Sequence, residues 1–131
     1  VIWGQAFLYA DNMSRQIPYK RAERVAGEIY HVVAGVVLND LADPRLKGVQ
    51  ITAVRMSGDL RIARIYFHLN GGDEEKRRNA LKGLTSAKGY IKRKVGQHLS
   101  LRYMPEIEFF YDERMDEEER VEEILKNLRS N

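Results

Sequence analysis

The chain of 131 residues has no cysteine, three prolines and one tryptophan. Without cysteine, disulfides and thiolate chemistry are excluded, and a reducing compartment is compatible. No apolar run approaches the roughly 20 residues that a membrane-spanning helix needs. The sequence contains no H-E-x-x-H, no Walker loop, no nucleophile elbow and no C-x-x-C. Its three histidines, His31, His68 and His98, are scattered. Glu117, Glu118, Glu119, Glu122 and Glu123 offer carboxylates for a cation, but a charged helix face is the plainer reading. No enzyme, metal or cofactor is indicated. No internal repeat is visible, and the one biased tract is the acidic run 116–119.

What is present is ordinary for a globular domain: 44% hydrophobic and 31% charged residues. The length suits one domain with a modest core. The first twelve residues, VIWGQAFLYADN, differ in character from the rest and lack the basic n-region and small-residue cleavage site of a signal peptide. Met13-Ser14 reads as a natural start, so residues 1–13 are expected to be a non-native or disordered extension. The net charge of +3 conceals an asymmetry: residues 13–105 carry +10, and residues 106–131 carry −6. A basic body with an acidic tail points to a polyanionic partner, with a merely solvated surface as the alternative.

Residues 18–42 read as a helix, with Pro18 in its first turn and apolar residues at Ala22, Val25, Ala26, Ile29, Val33, Val36 and Val37. Pro44 stops it by about Ala42. Strands at 49–56 and 60–69 follow, joined through Ser57-Gly58-Asp59 as a hairpin. In the second strand, Ala63, Ile65, Phe67 and Leu69 take one face; Ile62, Arg64, Tyr66 and His68 take the other. Asp73 is an N-cap for a long helix whose stripe comprises Ala80, Leu81, Leu84, Ala87, Ile91, Val95 and Leu99. A short strand at 106–112 precedes an acidic amphipathic helix at 115–128, with Val121, Ile124, Leu125 and Leu128 on one stripe. The order is α-β-β-α-kink-α-β plus a final helix, an α+β sandwich. It matches the type II KH arrangement. KH domains usually clamp nucleic-acid backbone with Gly-x-x-Gly, and this chain has none. Ala87-Lys88-Gly89 stands in its place as a helix kink.

The segments RAERVAGEI (21–29), DPRL (43–46), GVQITAVRMSGDLRIARIYFHL (48–69) and SAKGYIKRKVGQHLSLRYMPEIEFFYD (86–112) resemble the ribosome-binding factor A family, together with the Ala-x-Gly kink. The resemblance spans residues 14–128. It implies a single KH-like RNA-binding domain over 14–113, followed by an acidic C-terminal helix over 114–131. It further implies a cytoplasmic protein without enzymatic activity that binds the immature 30S subunit. Such a protein contacts 16S rRNA near the decoding-centre helices and assists late maturation and 5′-end processing, above all during cold growth. Its release is linked to an assembly GTPase.

The residues themselves propose the contacts. Lys88, Lys92, Arg93 and Lys94 crowd around Gly89, which costs about 1 kcal/mol against alanine inside a helix. Either a bend presents this basic turn to phosphates, or Gly89 is a packing glycine. Lys20, Arg21 and Arg24 share a face at the positive end of a helix dipole, an unfavourable place for cations unless they bind something, and Arg15 extends that cluster. Arg45 either joins the interface or pairs with a neighbouring acid. Arg102 extends the track toward Tyr103. Phe67, Phe109 and Tyr111 read as core, whereas Tyr66 and Tyr90 are candidates for base stacking. A free-standing KH-type regulator of single-stranded RNA is the alternative function, and the missing Gly-x-x-Gly argues against it. No apolar patch is left over in this reading, which makes a monomer the default.

Overall fold

The computed structural model describes residues 16–130, with side chains from Lys20 onward. The N-terminal extension and Arg15 lie outside the described residues. Helix α1 (Gln16–Gly35) runs into a π turn (Val36–Asp40), and a 3-10 turn follows at Pro44–Leu46. Then come β1 (Val49–Met56), β2 (Ile62–Leu69), α2 (Glu74–Ser86), α3 (Lys88–His98), β3 (Glu106–Tyr111) and α4 (Glu113–Ser130). The element order matches the expected one, and most boundaries shift by two residues or fewer. The largest change is at the end of the first helix: its α-helical bonding ends at Gly35, and a π turn replaces the expected last turns.

The sheet order is β1-β2-β3. β1 and β2 are antiparallel, and β2 and β3 are parallel. The α2–α3 crossover between β2 and β3 is what a parallel pair requires. A bulge at Thr52 lets Ile51 pair with Phe67 and Val54 with Ile65. Directly opposed residues share a face, so both β1 residues reach the core although they stand three apart. Strict alternation would have sent one of them outward.

Helices α1, α2 and α3 cover one face of this sheet. Ile29 and Val33 from α1, Ala80 and Leu84 from α2, and Ile91 and Val95 from α3 meet Ala63, Ile65, Phe67 and Ile107 in one core. Asp73 caps α2 as expected, its carboxylate accepting from the Lys76 N–H at 2.9 Å. The expected hairpin forms, and the left-handed residue in its turn is Leu60 (φ 61°). Ser57 and Asp59 hold that conformation, accepting from the Arg61 N–H at 3.2 and 3.1 Å.

Two expectations fail at the C-terminal end. His68, assigned to the outward strand face, is only 1% exposed, because the first turns of α4 cover it. Helix α4 itself buries none of its residues. Val121, Ile124, Leu125 and Leu128 therefore form an exposed apolar stripe, and the premise for a default monomer falls. The amphipathic pattern predicted the helix correctly, but the fold offers this stripe no surface to cover.

Candidate nucleic-acid interface

The junction of α2 and α3 is a single residue. Ala87 has φ −87° and ψ 0°, the sparsely allowed bridge region. Its N–H is shared between the carbonyls of Gly83 and Leu84, each at 3.1 Å, and its own carbonyl accepts from the Ile91 N–H at 2.9 Å. Helix α3 thus starts afresh at Lys88, with no side chain capping its first turn. First-turn N–H groups lack intrahelical acceptors and favour anions. A Cβ built on Gly89 would meet nothing within 4 Å. Gly89 is therefore not a packing glycine. Gly83 in α2 is a packing glycine, where a Cβ would lie 3.0 Å from Leu46 and 3.3 Å from Asp43, and so is Gly96 in α3, where it would lie 3.0 Å from Met104. The DPRL turn seats against that bare patch of α2.

The cations around the junction have distinct surroundings. Tyr90 donates its hydroxyl to Asp40 at 2.9 Å, fixing α3 to the end of the π turn. Its ring carries Lys94 at 5.6 Å and Arg93 at 5.8 Å, a cation–π arrangement that fixes where the two charges stand. Tyr90 is therefore a post for these cations, not an open stacking platform. Lys88 is half-buried, and no ion pair joins Lys88, Arg93 or Lys94 to a carboxylate among the described residues. Lys92 differs: its Nζ lies 3.2 Å from Glu106 of β3. Arg102 is exposed and lies 5.4 Å over the ring of Tyr103.

Arg45 is committed locally. Its guanidinium reaches Asp43 through Nη2 at 2.6 Å and Nε at 3.0 Å, while Asp43 also accepts the Arg45 backbone N–H at 2.9 Å. The hydrogen bonds from Arg45 hold the Asp43 carboxyl below its ordinary value. Of the two expectations for Arg45, pairing with an acid is the one seen.

Lys20, Arg21 and Arg24 are exposed on the first turns of α1 and face no carboxylate among the described residues. Asp40, which anchors Tyr90, lies at the other end of the same helical run, about 25–30 Å along its axis at 1.5 Å per residue. Tyr66, the other stacking candidate, is half-buried with its ring 5.6 Å from Phe110.

One cluster escaped the sequence reading. Asp116 accepts from Tyr111 at 2.8 Å and Arg77 at 2.9 Å, and lies 3.0 Å from His68 Nε2. Glu119 lies 3.5 Å from the same nitrogen. Burial pushes the Asp116 carboxyl up, but the Tyr111 and His68 hydrogen bonds and the Arg77 charge outweigh it and leave it below its ordinary value. Burial, then the Asp116 contact, raises Tyr111 to about 12. His68, Asp116 and Glu119 are close enough together to suit a metal. However, both Asp116 oxygens already accept from Arg77 and Tyr111, and the guanidinium supplies the positive charge. The cluster reads as an anchor for α4. Its members come from β2, α2, β3 and α4, and no spacing in the sequence signals that they meet.

A small α+β domain with cations set around a bare helix junction defines a class: a compact protein whose basic helical surface faces outward. The model of the family described as ribosome-binding factor A matches residues 21–125. Ribosome-binding factor A of Geobacter sp. strain M21 is 42% identical over 109 residues, covering 83% of this chain and 91% of the relative. The solution NMR structure of a Thermotoga maritima protein, provisionally called a ribosome binding factor A, superposes with a TM-score of 0.61 at 32% identity, over 69% of this chain and 85% of that one. A Thermus thermophilus ribosome binding factor A, fitted into a cryo-EM map of a 30S complex, shares the fold with a TM-score of 0.55 at 24% identity, over 67% of this chain and 91% of that one. The chain belongs to the ribosome-binding factor A family, as its motifs implied.

Proposed function

We propose that this protein is a small-subunit assembly factor that docks on the immature 30S particle and its 16S rRNA. The observation that carries the reading is the junction at Ala87–Gly89: bare backbone beside Lys88, Arg93 and Lys94, which no described carboxylate neutralises. Family membership supports the choice of target, and the 30S complex of the Thermus thermophilus relative supports the small subunit. On this reading the Ala-x-Gly junction replaces the Gly-x-x-Gly clamp of a type II KH-like domain spanning residues 14–113. Phosphates approach Gly89 closely because no Cβ intervenes. Lys20, Arg21 and Arg24, extended by Arg15, form a second cluster, and Arg102 continues the track from α3. Arg45 and Lys92 contribute only if Asp43 and Glu106 release them.

Cations on the first turns of α1 and at the α3 junction let the protein engage more than one rRNA segment. Phosphate contacts of this kind position a protein while reading little sequence. The work is stabilisation, not chemistry: a binder shifts a folding equilibrium only by its differential affinity for the two states. The factor therefore prefers immature particles, favours one arrangement of the 5′ region for processing, and matters most in the cold, when RNA helices rearrange slowly. It acts in the cytoplasm, and an assembly GTPase is the candidate for its release.

The test is co-sedimentation with purified 30S particles across a salt series. Lys88→Glu/Arg93→Glu/Lys94→Glu, shown to be folded, is expected to lose binding by about 100-fold or more and to show a shallower salt dependence. Wild-type affinity in that variant would remove the α3 junction from the interface. Tight binding of the wild type to short single strands, without 30S binding, would favour the KH-type regulator.

A further inference from the structure

The exposed stripe of α4 is the largest feature that the basic face leaves unexplained. Val121, Ile124, Leu125 and Leu128 are between 46 and 67% exposed. They stand at i, i+3, i+4 and i+7, the spacing of anchors that an amphipathic helix lays into a groove. Every residue from Arg120 to Ser130 is exposed. At 3.6 residues per turn, the anchoring residues Asp116 and Glu119 lie about 160° around the helix from the middle of this stripe. The same contacts that fix α4 to the body thus turn its apolar stripe away from it. While the anchor holds, no part of the described fold can cover the stripe, which leaves it open to another molecule.

Charge selects among occupants. Helix α4 carries seven carboxylates and four cations. Glu117, Glu118 and Glu122 border the stripe together with Arg120 and Arg129, and the helix as a whole carries a net charge of −3. That net charge repels phosphate, which argues against RNA. It also opposes the stacking of one α4 on another, which argues against a second copy. A basic protein surface satisfies both the charge and the stripe.

We propose that α4 is a docking helix for a basic protein surface bearing an apolar groove, so that the molecule binds RNA with one end and protein with the other. The inference rests on the ribosomal reading for where such a surface is met: a protein of the 30S particle. The basic face then supplies contacts to rRNA, and α4 adds a contact that exists only where rRNA and that protein are already assembled. Such bivalent engagement raises affinity for the assembled surface without strengthening either contact.

The experiment titrates the full chain against purified 30S particles and, separately, against protein-free 16S rRNA. Ile124→Asp/Leu128→Asp, with unchanged circular dichroism, is expected to bind particles at least about tenfold more weakly and bare rRNA with wild-type affinity. Glu117→Lys/Glu118→Lys/Glu122→Lys is expected to bind particles more weakly and bare rRNA more tightly. Wild-type particle affinity in the stripe variant overturns the docking helix and leaves the basic-face reading standing. Equal losses on particles and bare rRNA make the helix an RNA contact and overturn the proposal. A wild type that is dimeric by sedimentation equilibrium, with a monomeric stripe variant, assigns the stripe to a second copy and also overturns it. Failure of the wild type to bind particles overturns this inference and the ribosomal reading together.

Discussion

Helices α3 and α4 are both amphipathic, yet the fold treats them in opposite ways. Helix α3 buries Ile91 and Val95 completely and keeps its cations on the other face, half-buried or exposed. Helix α4 has an equally regular apolar stripe, buries nothing, and is held by hydrogen bonds and ion pairs through its first two turns. Periodicity says which face of a helix needs cover; it does not say what covers it. For α3 the cover is α1 and the sheet. For α4 the anchor faces inward and the stripe faces out, so the cover lies outside the described fold.

The largest expected effect sharpens this contrast directly. Ile91→Ala should destabilise the domain by about 2–5 kcal/mol, the range for large-to-small core changes. Leu125→Ala should shift stability by less than about 0.5 kcal/mol, as exposed positions do. Urea denaturation of both variants checks the pair, and similar losses would mean that α4 packs on the body.

Next in size is the anchor. Asp116→Ala strips a buried histidine and Arg77 of their shared partner and should cost about 1–3 kcal/mol. The loss should fall on α4, read as faster amide exchange over residues 113–130. The pH dependence has two limbs. Asp116 has a lowered carboxyl pKa, so its contribution is present above the ordinary carboxylate value and is lost as pH falls through the folded value. Tyr111 is raised to about 12, so its contribution is complete below 10 and fades as pH rises toward 12. Tyr111→Phe should remove the alkaline limb and also weaken the acid one, because the Tyr111 hydroxyl is the strongest of the groups that lower the Asp116 carboxyl; circular dichroism against pH checks both limbs.

Two glycines on either side of Ala87 provide a finer test. Gly83→Ala must push Leu46 and Asp43 aside and should cost about 1 kcal/mol after its gain in helix propensity. Gly89→Ala enters open space and should leave stability unchanged or raise it by up to about 1 kcal/mol. If bare backbone at 89 serves binding, Gly89→Ala should still weaken 30S association while the protein becomes no less stable. The smallest effect belongs to Lys92. Glu106→Gln frees its ammonium, and 30S affinity should rise with a salt slope steeper by about 1.

Much of this was legible in the sequence because it is local. Asp73 caps α2 whatever packs above it, and alternation in β2 placed Ala63, Ile65 and Phe67 on the core face correctly. The cations near Gly89 are neighbours in sequence and remain neighbours in space. Pro44 keeps Asp43 extended and opens the 3-10 turn for a backbone reason that needs no partner. The failures share the opposite character. His68 sits where alternation predicts exposure, but a helix that begins 45 residues later covers it. Lys92 looked equivalent to its neighbours Lys88 and Arg93; only the fold brings Glu106 within its reach. The bulge at Thr52 and the left-handed Leu60 had no signal in the sequence reading.

The sequence by itself determined the elements, their order, the asymmetry between a basic body and an acidic end, and the family. Those follow from periodicity, capping and composition, which act over a few residues or over the whole chain. Only the tertiary structure decided which charges remain unpaired, that Tyr90 ties α3 to Asp40, and that the stripe of α4 points away from the core. Each depends on groups distant in sequence meeting within a few ångströms, and such meetings are set by packing, not by any local pattern.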